Sequence, residues 1–176
     1  TRAGYSFAGW STIPGGAVVY SDGQSVLNLS SVPDATVTLY AVWASNSYSV
    51  TFDAQGGTVN PAGKTVIFGG LYDTLPVPSK TGYTFAGWFT VPSGGGVQVL
   101  ASTAVSTPSD HILYAYWLPN SYSVIYDGNG ADAGSTTASA HVYDEAKALS
   151  LNGFSRTGYT FSGWALSTGG AVAFNN

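Results

Sequence analysis

Cysteine and methionine are both absent from this chain of 176 residues. Without cysteine there is no disulfide framework and no thiolate metal site, so stability rests on packing and hydrogen bonds. Without methionine there is no easily oxidised thioether. Charge is scarce too: Asp, Glu, Lys and Arg make up 8% of the residues, against roughly 25% in ordinary soluble domains. The five bases, Arg2, Lys64, Lys80, Lys147 and Arg156, are scattered among nine acids, so no basic stripe exists to neutralise phosphates, and nucleic acid is not an expected partner. No apolar run approaches the ~20 residues that cross a bilayer, which argues against membrane insertion. The opening TRAGYSFAGW lacks the charged head and apolar centre of an export signal. As the first residue is Thr rather than Met, the chain reads as a fragment of something longer, with its export signal elsewhere.

What fills the space is glycine, at 23 residues, aromatic side chains, at 14%, and many Ser and Thr hydroxyls. These are arranged periodically. The string G-Y-[ST]-F-[AS]-G-W occurs at Gly4 to Trp10, Gly82 to Trp88 and Gly158 to Trp164, at offsets of 78 and 76. L-Y-A-x-W occurs at Leu39 to Trp43 and Leu113 to Trp117, and N-S-Y-S-V-x-[FY]-D at Asn46 to Asp53 and Asn120 to Asp127, each at an offset of 74. Self-similarity at one period is the signature of a repeat architecture. The organisation expected is the C-terminal part of one repeat over 1–45, a complete repeat over 46–119 and the N-terminal part of a third over 120–176. The ends are out of phase, and the expectation is truncation from a longer array, with unpaired strand edges at Thr1 and Asn176.

Within the complete repeat, Ser47 to Asp53 alternates with period two and predicts a half-buried strand. Gly56-Gly57 marks a turn, and Lys64 to Phe68 a second strand. Leu75-Pro76-Val77-Pro78 must be extended, because each proline restricts its predecessor. Tyr83 to Trp88 reads as a strand with aromatics on both faces, Gly87 leaving a gap for a ring. Val97 to Leu100 returns as its hairpin partner after Gly94-Gly95-Gly96. Ala101 to Pro108 is the one place where a short helix fits, and Ile112 to Trp117 closes the unit. A unit of this size is marginal alone. Its rings compensate, each contributing roughly 3–5 kcal/mol on burial before entropy is subtracted. The linker Leu118-Pro119 is too short for free motion, which predicts a semi-rigid array.

Tyr48 to Thr58 (YSVTFDAQGGT), Leu75 to Pro78 (LPVP), Lys80 to Thr90 (KTGYTFAGWFT) and Leu113 to Trp117 (LYAYW), in that order and spacing, resemble the Listeria–Bacteroides repeat, also called the internalin B-repeat family. The resemblance covers the complete unit and both partial ones. It implies a mainly β fold of small β-grasp-like tandem repeats with at most one short helix each. It also implies a place in large secreted or wall-anchored bacterial proteins, as stalk, spacer or adhesive element. One departure stands out: Asp127 to Asp132 reads DGNGAD where the family has D-x-N-G-G, which puts the shape of that turn in question.

The residues expected to form the structural core motif are Tyr5, Phe7, Trp10, Tyr83, Phe85, Trp88, Tyr159, Phe161 and Trp164 on the GYxFxGW strands, and Tyr40, Trp43, Tyr114 and Trp117 on the closing strands. An exposed Trp face among them would instead give a sugar-stacking platform. Asp127, Asn129 and Asp132 suggest a calcium loop only superficially, lacking the regular ligand series and closing Glu. His111 and His141 have no second His or Cys nearby and read as polar surface residues. No G-x-S-x-G or equivalent nucleophile setting occurs. The glycine runs lack the Lys-Ser/Thr and helix of a phosphate loop. Lys64, Lys80 and Lys147 do not recur as a Lys-Asn-acid set for an isopeptide crosslink. The expectation is therefore an extracellular, non-enzymatic segment without cofactor, a spacer or fibre-building repeat. Its partners would be neighbouring repeats, with an adhesive module for host protein or glycan as the alternative.

Overall fold

A computed structural model describes residues 1–175, and these residues contain no helix. The strands are β1 (Tyr5–Ser11), β2 (Tyr40–Ser45), β3 (Ser47–Asp53), β4 (Gly63–Ile67), β5 (Tyr83–Val91), β6 (Gly95–Val99), β7 (His111–Pro119), β8 (Ser121–Val124), β9 (Ala133–Gly134), β10 (Ser139–Val142) and β11 (Phe154–Ser155). The chain divides into two compact units, Thr1–Ser79 with Phe85–Trp117, and Lys80–Thr84 with the residues from Leu118 onward.

The complete repeat forms a five-stranded sheet in the order β4-β3-β7-β5-β6. Its first and last strands lie side by side and parallel, Val50 opposite His111 and Asp53 opposite Tyr114. β3 and β4 pair antiparallel, as do β5 and β6. First strand beside last at the centre, with a hairpin on each flank, is the β-grasp topology. The alternation read in Ser47 to Asp53 explains why: Val50 and Phe52 turn inward while Ser47, Ser49 and Thr51 stay exposed. Leu113, Ala115 and Trp117 of β7 enter the same core from the neighbouring strand, joined by Val66, Trp88 and Val99.

The segment that covers this sheet is not helical. Ala101 to Pro108, where a short helix was conceivable, runs extended beside Gly69 to Asp73. Gly69 donates to the Val105 carbonyl (2.9 Å), Val105 to that of Gly70 (2.8 Å), Tyr72 to that of Thr103 (3.0 Å) and Asp73 to that of Ala101 (2.8 Å). β-Branched Thr103, Val105 and Thr107 favour this extended course, and it buries Val105 and Tyr72 almost completely. Lys64 fastens the stretch beside which the covering segment runs, its ammonium donating to the carbonyls of Tyr72 and Thr74.

The GYxFxGW strand also departs from simple alternation. Between Phe7 and Gly9 the β1–β2 register shifts by one residue, a β-bulge. Gly9, Gly87 and Gly163 share its backbone, with φ of 144°, 139° and 145°. This backbone brings the Phe and Trp of each string to one face, where their rings meet edge to face in all three copies, at 5.0, 5.4 and 4.9 Å. Phe85 and Trp88 therefore share one face, and the aromatic on the other face of β5 is Phe89, 5.7 Å from Tyr116. The glycine does not make room for a ring: a Cβ there would strike Val18, Gln98 or Val172 of the hairpin partner.

β1 and β2 form a two-stranded sheet by themselves, and Thr1 stands outside any strand. In the third copy β8 pairs β10 and β9 pairs β11. The strand edge expected at Asn176 lies outside the described residues.

Candidate functional site

The structural core motif divides by copy. Trp88 and Trp117 are buried, and Phe85 packs against both, at 5.4 and 5.6 Å. The Trp88 indole donates to the Pro76 carbonyl (2.8 Å) and that of Trp117 to the Ala54 carbonyl (2.8 Å). Tyr5, Phe7, Trp10, Trp43, Tyr83, Tyr114 and Trp164 are half-buried, whereas Tyr40, Phe161 and Tyr159 are exposed. These last three lie in copies one and three, where no five-stranded sheet surrounds them.

The turn after the first strand is the same in both copies that contain it. The Asp53 carboxylate accepts the Gln55 amide and that of Asp127 the Asn129 amide, each at 2.8 Å. Gln55 and Asn129 have φ of 48° and 46°, followed by Gly56 and Gly130 at 82° and 80°. Ala131 replaces the family's second glycine at a position that needs no positive φ, so the departure DGNGAD leaves the turn unchanged. Asp132 is turned onto the backbone, accepting the Thr157 amide. That bond, ahead of the nearby Arg156, holds its pKa below the usual carboxylate value. Among the described residues, no three His, Cys, Asp or Glu side chains cluster as a metal site.

His141 is not a surface residue. It is buried, stacked on Tyr122, with Nε2 2.8 Å from Ser139 Oγ. The Ser139 hydroxyl also meets the Tyr126 hydroxyl, which accepts the Ser150 amide. A Ser-His contact of this length is the starting geometry for nucleophilic catalysis. Here both partners are tied into a packed polar chain, and the cavity in this copy is lined by other residues, Asp127 to Gly134 and Phe154. The signal for it lay in the repeat: β10 sets His141 opposite Tyr122 as β4 sets Val66 opposite Tyr48. His111 is half-buried and shares a 2.6 Å hydrogen bond with the Tyr72 hydroxyl.

The most distinctive site is one that composition and periodicity did not reveal. In the first unit the loop Arg2 to Ser6 receives the start of the next repeat. Asn46 donates its amide to the Gly4 carbonyl (2.9 Å), and the Ser6 hydroxyl donates to Asn46 Oδ1 (2.6 Å). Phe68, one residue past β4, donates to the Asn46 carbonyl and lays its ring over Gly4, edge to face with Tyr5 at 5.4 Å. Within the second unit the loop Lys80 to Thr84 repeats this. Asn120 donates to the Gly82 carbonyl (2.9 Å), Thr84 Oγ1 to Asn120 Oδ1 (2.6 Å), and Tyr143 lies over Gly82, 5.6 Å from the Tyr83 ring. Gly4 and Gly82 both have φ of 79°, and a Cβ on either would lie 2.3 Å from the ring above it. Glycine is thus required twice over. A cation caps each tyrosine, Arg2 over Tyr5 at 3.9 Å and Lys80 over Tyr83 at 4.3 Å. The Tyr83 hydroxyl donates to Asp144, a bond that raises its pKa above the usual tyrosine value.

One complete β-grasp sheet flanked by partial copies, with each opening hairpin seated on a glycine of the copy before it, defines a tandem-repeat protein. The chain belongs to the Listeria-Bacteroides repeat domain family, which it matches over residues 1–42, 48–116 and 122–176. It is 30% identical over 169 residues to a putative membrane protein of Evansella cellulosilytica, covering 93% of this chain and 24% of the relative. It is 31% identical over 172 residues to a putative Gly-rich membrane protein of the same organism, covering 93% and 19%. Internalin H of Listeria monocytogenes is 33% identical over 121 residues, covering 68% and 20%. The chain thus spans about a fifth to a quarter of the length of these relatives. No solved structure matches it.

Proposed function

We propose that this chain is a non-enzymatic structural segment of a large secreted or cell-surface bacterial protein, acting as a spacer or fibre-building array. The observation that carries this reading is the repeated joint. The same glycine, aromatic ring and Asn-to-hydroxyl bond recur in both units, so a recurring set of residues is spent on joining repeats. The hydroxyl-rich, charge-poor surface and the resemblance to internalin H support an extracellular setting.

Adhesion to host protein or glycan is the second reading, favoured by the exposed rings of Tyr122 and Tyr159. A glycan array and a binding assay on host cells, both probed with the labelled chain, separate the two. The spacer reading expects no signal above background. Binding that is lost on Tyr122→Ala or Tyr159→Ala overturns it in favour of adhesion.

A further inference from the structure

The third copy of the joint loop, Arg156 to Thr160, is built like the other two. Tyr159 donates its amide to the Arg156 carbonyl at 3.1 Å, as Tyr5 does to Arg2 (3.1 Å) and Tyr83 to Lys80 (3.2 Å). Gly158 has φ of 77°, and the Arg156 guanidinium sits 4.3 Å over the Tyr159 ring. The backbone, the glycine and the cation-capped tyrosine are thus preset. Yet a Cβ on Gly158 would meet nothing within 4 Å, and Tyr159 is 68% exposed, whereas Tyr5 and Tyr83 are half-buried under their rings.

A second feature of the same copy points to the same occupant. In the complete repeat the Trp117 indole donates to the Ala54 carbonyl and lies against Gly57 of the first turn. The corresponding turn of copy three, at Gly128 and Ala131, instead lines an open cavity of about 330 Å3. In the sequence the closing strand leads into the next opening strand through Asn120 alone, between β7 and β8. One continuous run, a closing strand followed by an opening hairpin, fits both places.

We propose that Arg156–Thr160 is a docking socket for the opening hairpin of a further repeat of this same kind, an aromatic ring at the position of Phe68 and Tyr143 being seated on Gly158. The recognition is chemical and narrow: a planar ring for the glycine floor and the tyrosine edge, and an Asn whose amide meets the Gly158 carbonyl and whose side chain accepts from Thr160. The inference deepens the spacer reading and rests on it for the identity of the partner.

The test is hydrogen exchange of the loop amides. In a chain extended after Asn176 by a second copy of residues 102–176, exchange at Thr157 to Thr160 is expected to slow at least tenfold, to the level of Lys80 to Thr84. Replacing the ring residue of the appended copy, its Tyr143→Ala, is expected to restore fast exchange. Unchanged exchange in the extended chain, or protection that survives loss of the ring, overturns the socket. The 176-residue chain supplies a second measurement that needs no extension. Tyr143→Ala is expected to free Lys80 to Thr84 to the rate of Arg156 to Thr160 while β3 and β4 keep their protection. Continued protection of Lys80 to Thr84 in that variant overturns the inference as well. Glycan binding by the chain would overturn the spacer reading but leave these exchange results standing, so the two failures are distinguishable.

Discussion

Gly9, Gly87 and Gly163 show why residue identity alone misplaced the rings around them. Strict alternation sends the Phe and Trp of GYxFxGW to opposite faces, and the positive-φ backbone at each glycine, a bulge in copy one, returns them to one. A bulge leaves no mark in the hydrophobic period other than the glycine itself. Gly87→Ala is expected to cost about 1–3 kcal/mol, from a φ that side chains rarely adopt, as measured by urea denaturation. Asp132 supplies a pH test. Its folded pKa lies below the usual carboxylate value because the Thr157 amide donates to it. Its contribution is therefore present above the unfolded pKa and lost as pH falls through the folded one. The Thr157 amide resonance is expected to move toward its Asp132→Asn position only below about pH 4. A midpoint above that value would contradict the assignment.

Among the elements, most strands were legible in the sequence. Ser47–Asp53 matches its period-two pattern residue for residue, and β4 is displaced by one from Lys64 to Phe68. That displacement is informative, since Phe68 leaves the strand to sit on Gly4. Ala101 to Pro108 was less legible, because its partner, Gly69 to Asp73, lies some thirty residues earlier and shows no strand pattern of its own. Val105→Ala in this segment is expected to cost about 1–3 kcal/mol, since it removes a fully buried branched side chain that the covering segment cannot replace. In the first turn, Asp53→Ala is expected to cost about 0.5–1.5 kcal/mol through loss of the Gln55 amide bond. Thermal unfolding checks both, and a negligible change at Val105 would contradict the cover assigned to it.

For the whole molecule, the repeat was plain in three recurring strings and the family in four segments of the complete unit, while the joint between repeats was not. Lys80 to Thr84 follows the complete repeat's own numbering yet packs with the residues that come after it. No pattern within a single repeat discloses that, because the ring and the glycine belong to different copies. What the sequence did contain was an unexplained basic-x-Gly-Tyr at the head of each string, at Arg2, Lys80 and Arg156. This is the element that links the repeats. It is tested most directly by the melting temperatures of Gly4→Ala, Gly82→Ala and Gly158→Ala. All three substitutions carry the same positive-φ strain, of about 1 kcal/mol, and only the first two force a methyl group into an aromatic ring. Gly4→Ala and Gly82→Ala are expected to be the more destabilising by about 1–3 kcal/mol, and Gly158→Ala to show the strain alone. Equal losses at all three positions, or the largest loss at Gly158, would contradict the joint.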